Sequence, residues 1–187
     1  MEQAREAVGI SRSLGAMRHR FSSDSDEDKR VKARDLGQDA VLQEIATHPM
    51  DRISFHLRNY WLAKLAPSDV VISQDRDGHW VTGRKKRVFA NAGSYDKSSH
   101  EWLIQIPPKS FEVWVLLCLD ERFWLEDFIV PQKYFSQDFA HAKAAAAAQK
   151  SPILVTVRQQ GGQYTLSVRH GHPVDITALR GNYTPLE

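Results

Sequence analysis

Residues 111–121, "FEVWVLLCLDE", are apolar at nearly every position from Val113 to Leu119. A run this short and unbroken reads as a strand buried on both faces. That demand constrains the fold more than any other feature, because the rest of the chain must cover both sides of it. Its one cysteine, Cys118, lies inside the run between Leu117 and Leu119. A lone thiol there has no disulfide or zinc partner and reads as a small buried hydrophobe. The absence of a disulfide framework suits a reducing cytoplasm.

Around this strand the segments are close together. "DVVIS" (69–73), "HWVTG" (79–83), "RVFANA" (87–92), "EWLIQIP" (101–107) and "FWLEDFIVP" (123–131) are all strand-like, and Asp77-Gly78 is a hairpin signal. Such spacing predicts a meander of neighbouring strands rather than long helical crossovers. Two helices precede them. "LGQDAVLQEIATHP" has Leu36, Ala40, Val41 and Ile45 at helical intervals before Pro49. "DRISFHLRNYWLAKLAP" puts Ile53, Leu57, Tyr60, Trp61 and Leu65 on one face, with Asp51 as the expected N-cap and Pro67 as the stop. "SQDFAHAKAAAAAQK" is an Ala-rich helix over about 137–149, and "ILVTVRQQGGQYTLSVRH" is a β-hairpin over about 153–169 turning at Gly161-Gly162. The expected fold class is therefore α+β: a central, mostly antiparallel or mixed sheet of about five strands, flanking helices and a C-terminal hairpin.

At 187 residues the chain can build one core with an appendage. Residues 1–36 read as a polar N-terminal segment, flexible or helical. Within it the acids Asp24, Asp26, Glu27 and Asp28 precede the cations Lys29, Arg30, Lys32 and Arg34, the order that suits a helix from Ser25 to Arg34. Residues 37–187 read as a single α+β domain with its core at 51–135. The N-terminus lacks the apolar stretch of a signal peptide, and no run approaches the roughly 18 apolar residues of a membrane span. The expectation is a cytoplasmic protein with no membrane partner.

A net charge of +2 does not mark a general polyanion binder, so any basic surface must be local. Arg84, Lys85, Lys86 and Arg87 are four consecutive cations. They are the candidate nucleic-acid contacts, able to hold phosphates without reading bases, and the alternative is a solvated hairpin loop. The five tryptophans could add a stacking surface or simply fill the core. His170 and His172, with Asp175 or His141, form a weaker metal-ligand pattern set against a polar turn around Gly171 and Pro173. "VTGRKK" lacks the spacing of a phosphate-binding loop.

The order "EWLIQIP", "VWVLLCLDE", "EDFIVPQKYF", preceded by a helix and a strand with an aspartate, resembles the PD-(D/E)xK restriction-endonuclease-like superfamily over about residues 57–135. The resemblance implies a Mg²⁺-dependent nuclease scaffold whose two acids and one lysine act on a phosphate. Asp69 matches the first acid. At the second motif this chain has Phe89-Ala90-Asn91, so Asn91 stands where the lysine belongs, and neither residue supplies the chemistry. The resemblance thus implies a degenerate member that binds DNA or RNA, or a protein partner, in bacterial or phage DNA processing or defence. No cofactor is expected, or Mg²⁺ if the chain is an active nuclease. That alternative would draw its acids from Asp69 with Glu44, Asp75 or Asp77, and its lysine from Lys85 or Lys86. A pure protein-interaction module is the third reading.

Overall fold

Alternation along the strands decides where each one packs. The computed structural model describes residues 40–48, 50–65, 70–75, 79–134, 137–168 and 171–187. The N-terminal segment with its expected helix, Asp69, the Asp77-Gly78 turn and His170 lie outside the described residues. Helices α1 (Ala40–Ala46) and α2 (Met50–Leu65) are followed by β1 (Ile72–Gln74), β2 (Trp80–Thr82), β3 (Arg87–Ala92), β4 (Ser94–Asp96), β5 (Glu101–Ile106), β6 (Val113–Leu119) and β7 (Leu125–Pro131). Helix α3 (Gln137–Gln149), β8 (Ile153–Gln160), β9 (Gln163–Val168) and β10 (Val174–Asp175) complete the order, and short 3₁₀ turns at Thr177–Leu179 and Thr184–Leu186 end it. Helix α2 starts at Met50, so Asp51 lies inside its first turn rather than capping it.

The fold is α+β, but with two five-stranded sheets where the sequence suggested one central sheet. The first has the order β1-β2-β3-β6-β7 and the second β10-β9-β8-β5-β4. Every pair is antiparallel except β3 with β6, which run parallel in register from Val88↔Val113 to Ala92↔Leu117. That pairing arises because β4 and β5 leave the first sheet and build the second before the chain returns to β6. Gly93 is the bend. Its N–H donates to the Leu117 carbonyl at 3.0 Å, and a Cβ there would lie 2.7 Å from Ile104 Cγ1 and 2.8 Å from Trp102 Cβ. Only a residue without a side chain lets β3 pass so close to β5.

Strand β6 is buried from Val113 to Cys118, and both of its faces have a partner. Val113, Val115 and Leu117 join Val88, Ala90, Ala92 and Ile129 under Val41, Leu42, Ile45, Leu57 and Trp61 of the helices. Trp114, Leu116 and Cys118 face the other way with Phe128 and Val130, against Trp102, Ile104, Ile106, Val155, Val157, Tyr164 and Leu166 of the second sheet. The layers are helices, sheet, sheet. Helix α3 adds Phe139, which meets Trp114 edge-on at 4.8 Å, and Ala146. Cys118 is fully buried, and that burial pushes its thiol well above the ordinary range.

One polar group interrupts the helix-facing side of β7. Asp127 is 3% exposed. Its Oδ2 accepts from Trp61 Nε1 at 3.0 Å and from the Tyr183 hydroxyl at 2.6 Å, and Lys64 Nζ lies 3.4 Å from Oδ1. Helix α2, the first sheet and the C-terminal segment meet at this carboxylate.

Replacing Gly93 by Ala forces Ile104 or the β3–β5 approach to shift and should cost about 1–3 kcal/mol, read as a lower urea midpoint with an unchanged slope. The Tyr183 phenol is pushed far above its ordinary value by burial first, then by the Asp127 charge and hydrogen bond. A group whose folded value is raised contributes its full stability below the unfolded value near ~10 and loses it as pH climbs further, by up to about 1.4 kcal/mol per pH unit. Tyr183→Phe should therefore be less stable than wild type near neutrality by about 1.5–3 kcal/mol. The gap should narrow above about pH 10, as followed by urea unfolding across alkaline buffers.

Candidate nucleic-acid interface

The four cations sit on the hairpin that joins β2 to β3. Thr82 and Lys86 close it: Thr82 N–H donates to the Lys86 carbonyl at 3.0 Å, and Lys85 N–H donates to the Thr82 carbonyl at 2.8 Å. Buried Thr82 also uses its hydroxyl, which accepts from Arg84 N–H at 3.2 Å and Lys86 N–H at 3.4 Å. This is a tight turn followed by a left-handed residue, and that residue is Lys85, with φ of +60°. Glycine would be the unstrained choice there.

The β6–β7 turn repeats the design. Asp120 N–H donates to the Trp124 carbonyl, Phe123 N–H donates to the Asp120 carbonyl, and Asp120 Oδ1 accepts from Arg122 N–H and Trp124 N–H. Phe123 takes the left-handed position with φ of +62°. The strain at Lys85 therefore belongs to the turn type and is not by itself a mark of function.

The cations do not share one environment. Arg84 and Lys85 are exposed at the tip, and Arg87 is exposed at the start of β3. Lys86 turns inward and donates to the Pro185 carbonyl at 2.9 Å, so it ties the hairpin to the C-terminal segment. The Arg87 backbone N–H donates to Glu112 Oε2 at 2.8 Å, and the Glu112 and Gln132 N–H groups continue the row through the Arg87 and Glu112 carbonyls.

That row gathers more charge. The parallel β3–β6 register and the antiparallel β6–β7 register put the starts of β3 and β6 and the end of β7 at one end of the first sheet. Exposed Lys109, on the segment entering β6, and exposed Lys133, just beyond β7, thus join the hairpin cations. Lys143 of α3 is drawn to the same segment by a 2.8 Å hydrogen bond to Ser110 Oγ. Glu112 is the acid among residues 83–87, 107–112 and 131–134, and Glu187 follows Pro185. Among the described residues the side chains of Arg84, Lys85, Arg87, Lys109 and Lys133 form no ion pair, and Glu112 is held by the Arg87 backbone N–H.

The other end of the sandwich is built differently. There Lys97 pairs with Glu121 at 2.6 Å, Arg158 with Glu101, and Arg180 with Glu126 at 3.4 Å. Asp75, one residue beyond β1, accepts from His79 N–H at 2.8 Å, and the registers put it about level with Phe89, near the start of β6. Asp75 and the Lys85–Lys86 pair are thus held apart by the β1–β2 ladder, and Glu44 is exposed on α1.

Asn91 is one residue from the end of β3, on the face toward the second sheet, and its Nδ2 donates to the Gln105 carbonyl at 2.8 Å. It fastens β3 to β5 across the sandwich. Of the tryptophans, Trp61, Trp102 and Trp114 are core, while Trp80 and Trp124 are half-buried, and none is exposed beside the basic hairpin. His172 bonds to Asp138 through Nδ1 at 3.0 Å, whereas Asp175 accepts from Thr177 N–H, so those two do not share a ligand. The Asp138 carboxyl is held below its usual range mainly by the His172 backbone hydrogen bond. Among the described residues no group of three or more His, Cys, Asp or Glu is placed to hold a metal ion. No helix among them is long and apolar enough to cross a membrane.

The sequence shows the run of four cations but not its enlargement by Lys109 and Lys133, which depends on the parallel pairing of strands 20 or more residues apart in the chain. Lys85→Gly relieves the left-handed strain while removing one charge. It should raise stability by about 0.5–1 kcal/mol in urea unfolding and weaken retention on a polyanion column at the same time, which separates the turn's geometry from its charge. Protein-family models, curated proteins and solved structures give no match to this chain.

Proposed function

We propose that this chain is a nucleic-acid-associated binding protein that grips the phosphate backbone with the basic end of its sandwich. The observation that carries the reading is the cluster of Arg84, Lys85, Arg87, Lys109 and Lys133, whose side chains are exposed and form no ion pair among the described residues. Unpaired cations arranged this way gain by releasing counterions from a polyanion. The missing exposed tryptophan beside them favours contact with phosphates over stacking on bases, so the reading is of sequence-tolerant binding.

The reading of a degenerate restriction-endonuclease-like scaffold draws support from the order of α2, the β1–β2–β3 run and the later "VWVLLCLDE" and "EDFIVP" strands in one sheet. One departure stands against it: the "EWLIQIP" strand pairs with β8 in the second sheet. Cleavage is not part of the proposed function, because Asn91 is spent on a structural bond and offers no charge. A setting in bacterial or phage DNA processing or defence belongs to the same proposal.

Fluorescence anisotropy with labelled single-stranded DNA, duplex DNA and RNA tests it. Affinity should fall steeply between about 50 and 200 mM salt. The variant carrying Arg84→Gln, Lys85→Gln, Arg87→Gln and Lys109→Gln should flatten the salt slope by about one unit per cation removed. Binding to none of the three nucleic acids, or binding that the variant leaves unchanged, would overturn the proposal. Plasmid incubated with Mg²⁺ or Mn²⁺ should stay intact, and nicking abolished by Asp69→Ala would replace the binding role with a nuclease.

A further inference from the structure

At the ion-paired end, opposite the basic hairpin, a cavity of about 240 Å³ opens between the β6–β7 and β8–β9 turns. Two of its walls are the rims of rigid, almost fully buried aromatic rings, Trp102 and Tyr164. Trp102 is fixed by its indole N–H, which donates to the Leu119 carbonyl at 2.8 Å, and Tyr164 packs on Phe128 with ring centroids 4.9 Å apart. Half-buried Trp124 adds a third ring, and Asp120, Glu126 and Gln159 supply polar groups.

The chain itself shows what these walls accept. The Arg180 guanidinium lies 5.7 Å from the Tyr164 ring centroid, and its Nη1 is 3.4 Å from Glu126 Oε1. Both contacts are long, so Arg180 occupies the edge of the cavity without closing it. Glu126 is thus engaged, whereas Asp120 forms no ion pair among the described residues. Asp120 Oδ1 is committed to its turn, while Oδ2 accepts no hydrogen bond among the described residues, and the Gln159 amide is likewise unengaged there.

An electron-rich ring face, here that of half-buried Trp124, beside an unspent carboxylate attracts a cation that carries N–H donors. A phosphate or carboxylate ligand would meet Asp120 and Glu126 instead and be repelled. Among organic cations a guanidinium fits better than an ammonium, because its plane stacks on a ring while its fork meets a carboxylate. We infer that this cavity is a binding site for a guanidinium group, stacked against the half-buried Trp124 ring and hydrogen-bonded to Asp120. The site lies away from the basic hairpin and stands independently of the nucleic-acid reading.

Titration of the full chain followed by tryptophan fluorescence and calorimetry tests it, with N-acetyl-arginine amide, agmatine, N-acetyl-lysine amide and the neutral isostere N-acetyl-citrulline amide. Both guanidinium compounds should saturate if the free group suffices, and the arginine amide alone if a peptide carrier is needed. The citrulline compound should bind at least about tenfold more weakly, and the lysine compound should fall between. Asp120→Asn keeps an acceptor for the turn while removing the charge, and should lower affinity by about tenfold. Arg180→Gln, a surface change that removes the internal competitor, should tighten binding, whereas a merely structural role for Arg180 would weaken it. Equal binding of citrulline and arginine amides, no saturable signal from any compound, or looser binding in Arg180→Gln would each overturn the assignment. The Arg180 variant keeps the question decidable even if Asp120→Asn melts early.

Discussion

A single buried carboxylate holds the three parts of this molecule in place. Asp127 interrupts an otherwise apolar face of β7, and burying its charge costs several kcal/mol unless partners replace water. They do: Trp61 and Lys64 arrive from α2, and Tyr183 from the C-terminal segment. The Asp127 carbonyl also accepts from Gly181 N–H at 2.9 Å, and Arg180 bridges to Phe128, so the returning chain covers the outer edge of β7. An edge that would offer unpaired backbone to another molecule is closed by the protein's own tail. The tail then reaches the basic hairpin, where Pro185 receives Lys86. One acid thus orders the helix layer, a sheet edge and, through the tail, the base of the cationic turn.

The two turns of the same design show how charge is kept apart while geometry is shared. Each needs a side-chain oxygen at its first position to accept two backbone N–H groups. At the ion-paired end the acceptor is Asp120, and at the basic end it is Thr82. An aspartate at 82 would satisfy the same N–H groups but would place an anion beneath Arg84 and Lys86. Threonine supplies the oxygen without the charge and leaves the hairpin cations uncompensated.

How far the sequence could be read follows from which signals are local. The continuous apolar run of β6, the one-faced pattern of α2 and the Gly161-Gly162 turn, with φ of +57° and +82°, are properties of a few adjacent residues, and all are legible. The division into two sheets is not. "EWLIQI" alternates in the same way whichever sheet it joins, and the bend that diverts it is a lone Gly93 whose need for space comes from Ile104 and Trp102. Strands β4 and β10, with three and two residues, are too short to carry a period. Asn91 reads as a vacant motif position because its bond to the Gln105 carbonyl depends on that same diversion. Asp127 looks like an ordinary polar position in "LEDFIV", since its partners lie 66 and 63 residues earlier in the chain and 56 residues later.

A net charge of +2 conceals this distribution, and distance determines whether the two ends cancel. Strand β6 has seven residues, and at about 3.3 Å each it separates the ends by roughly 20 Å. Screening at physiological salt acts over about 8 Å. A phosphate approaching Arg84 and Lys109 would therefore meet those cations almost undiminished by Asp120 and Glu126, and a cation entering the cavity would meet Asp120 without interference from the hairpin. On the two proposed readings taken together, a molecule held on a polyanion by its basic end would turn the cavity outward into solvent, leaving it open to a second ligand.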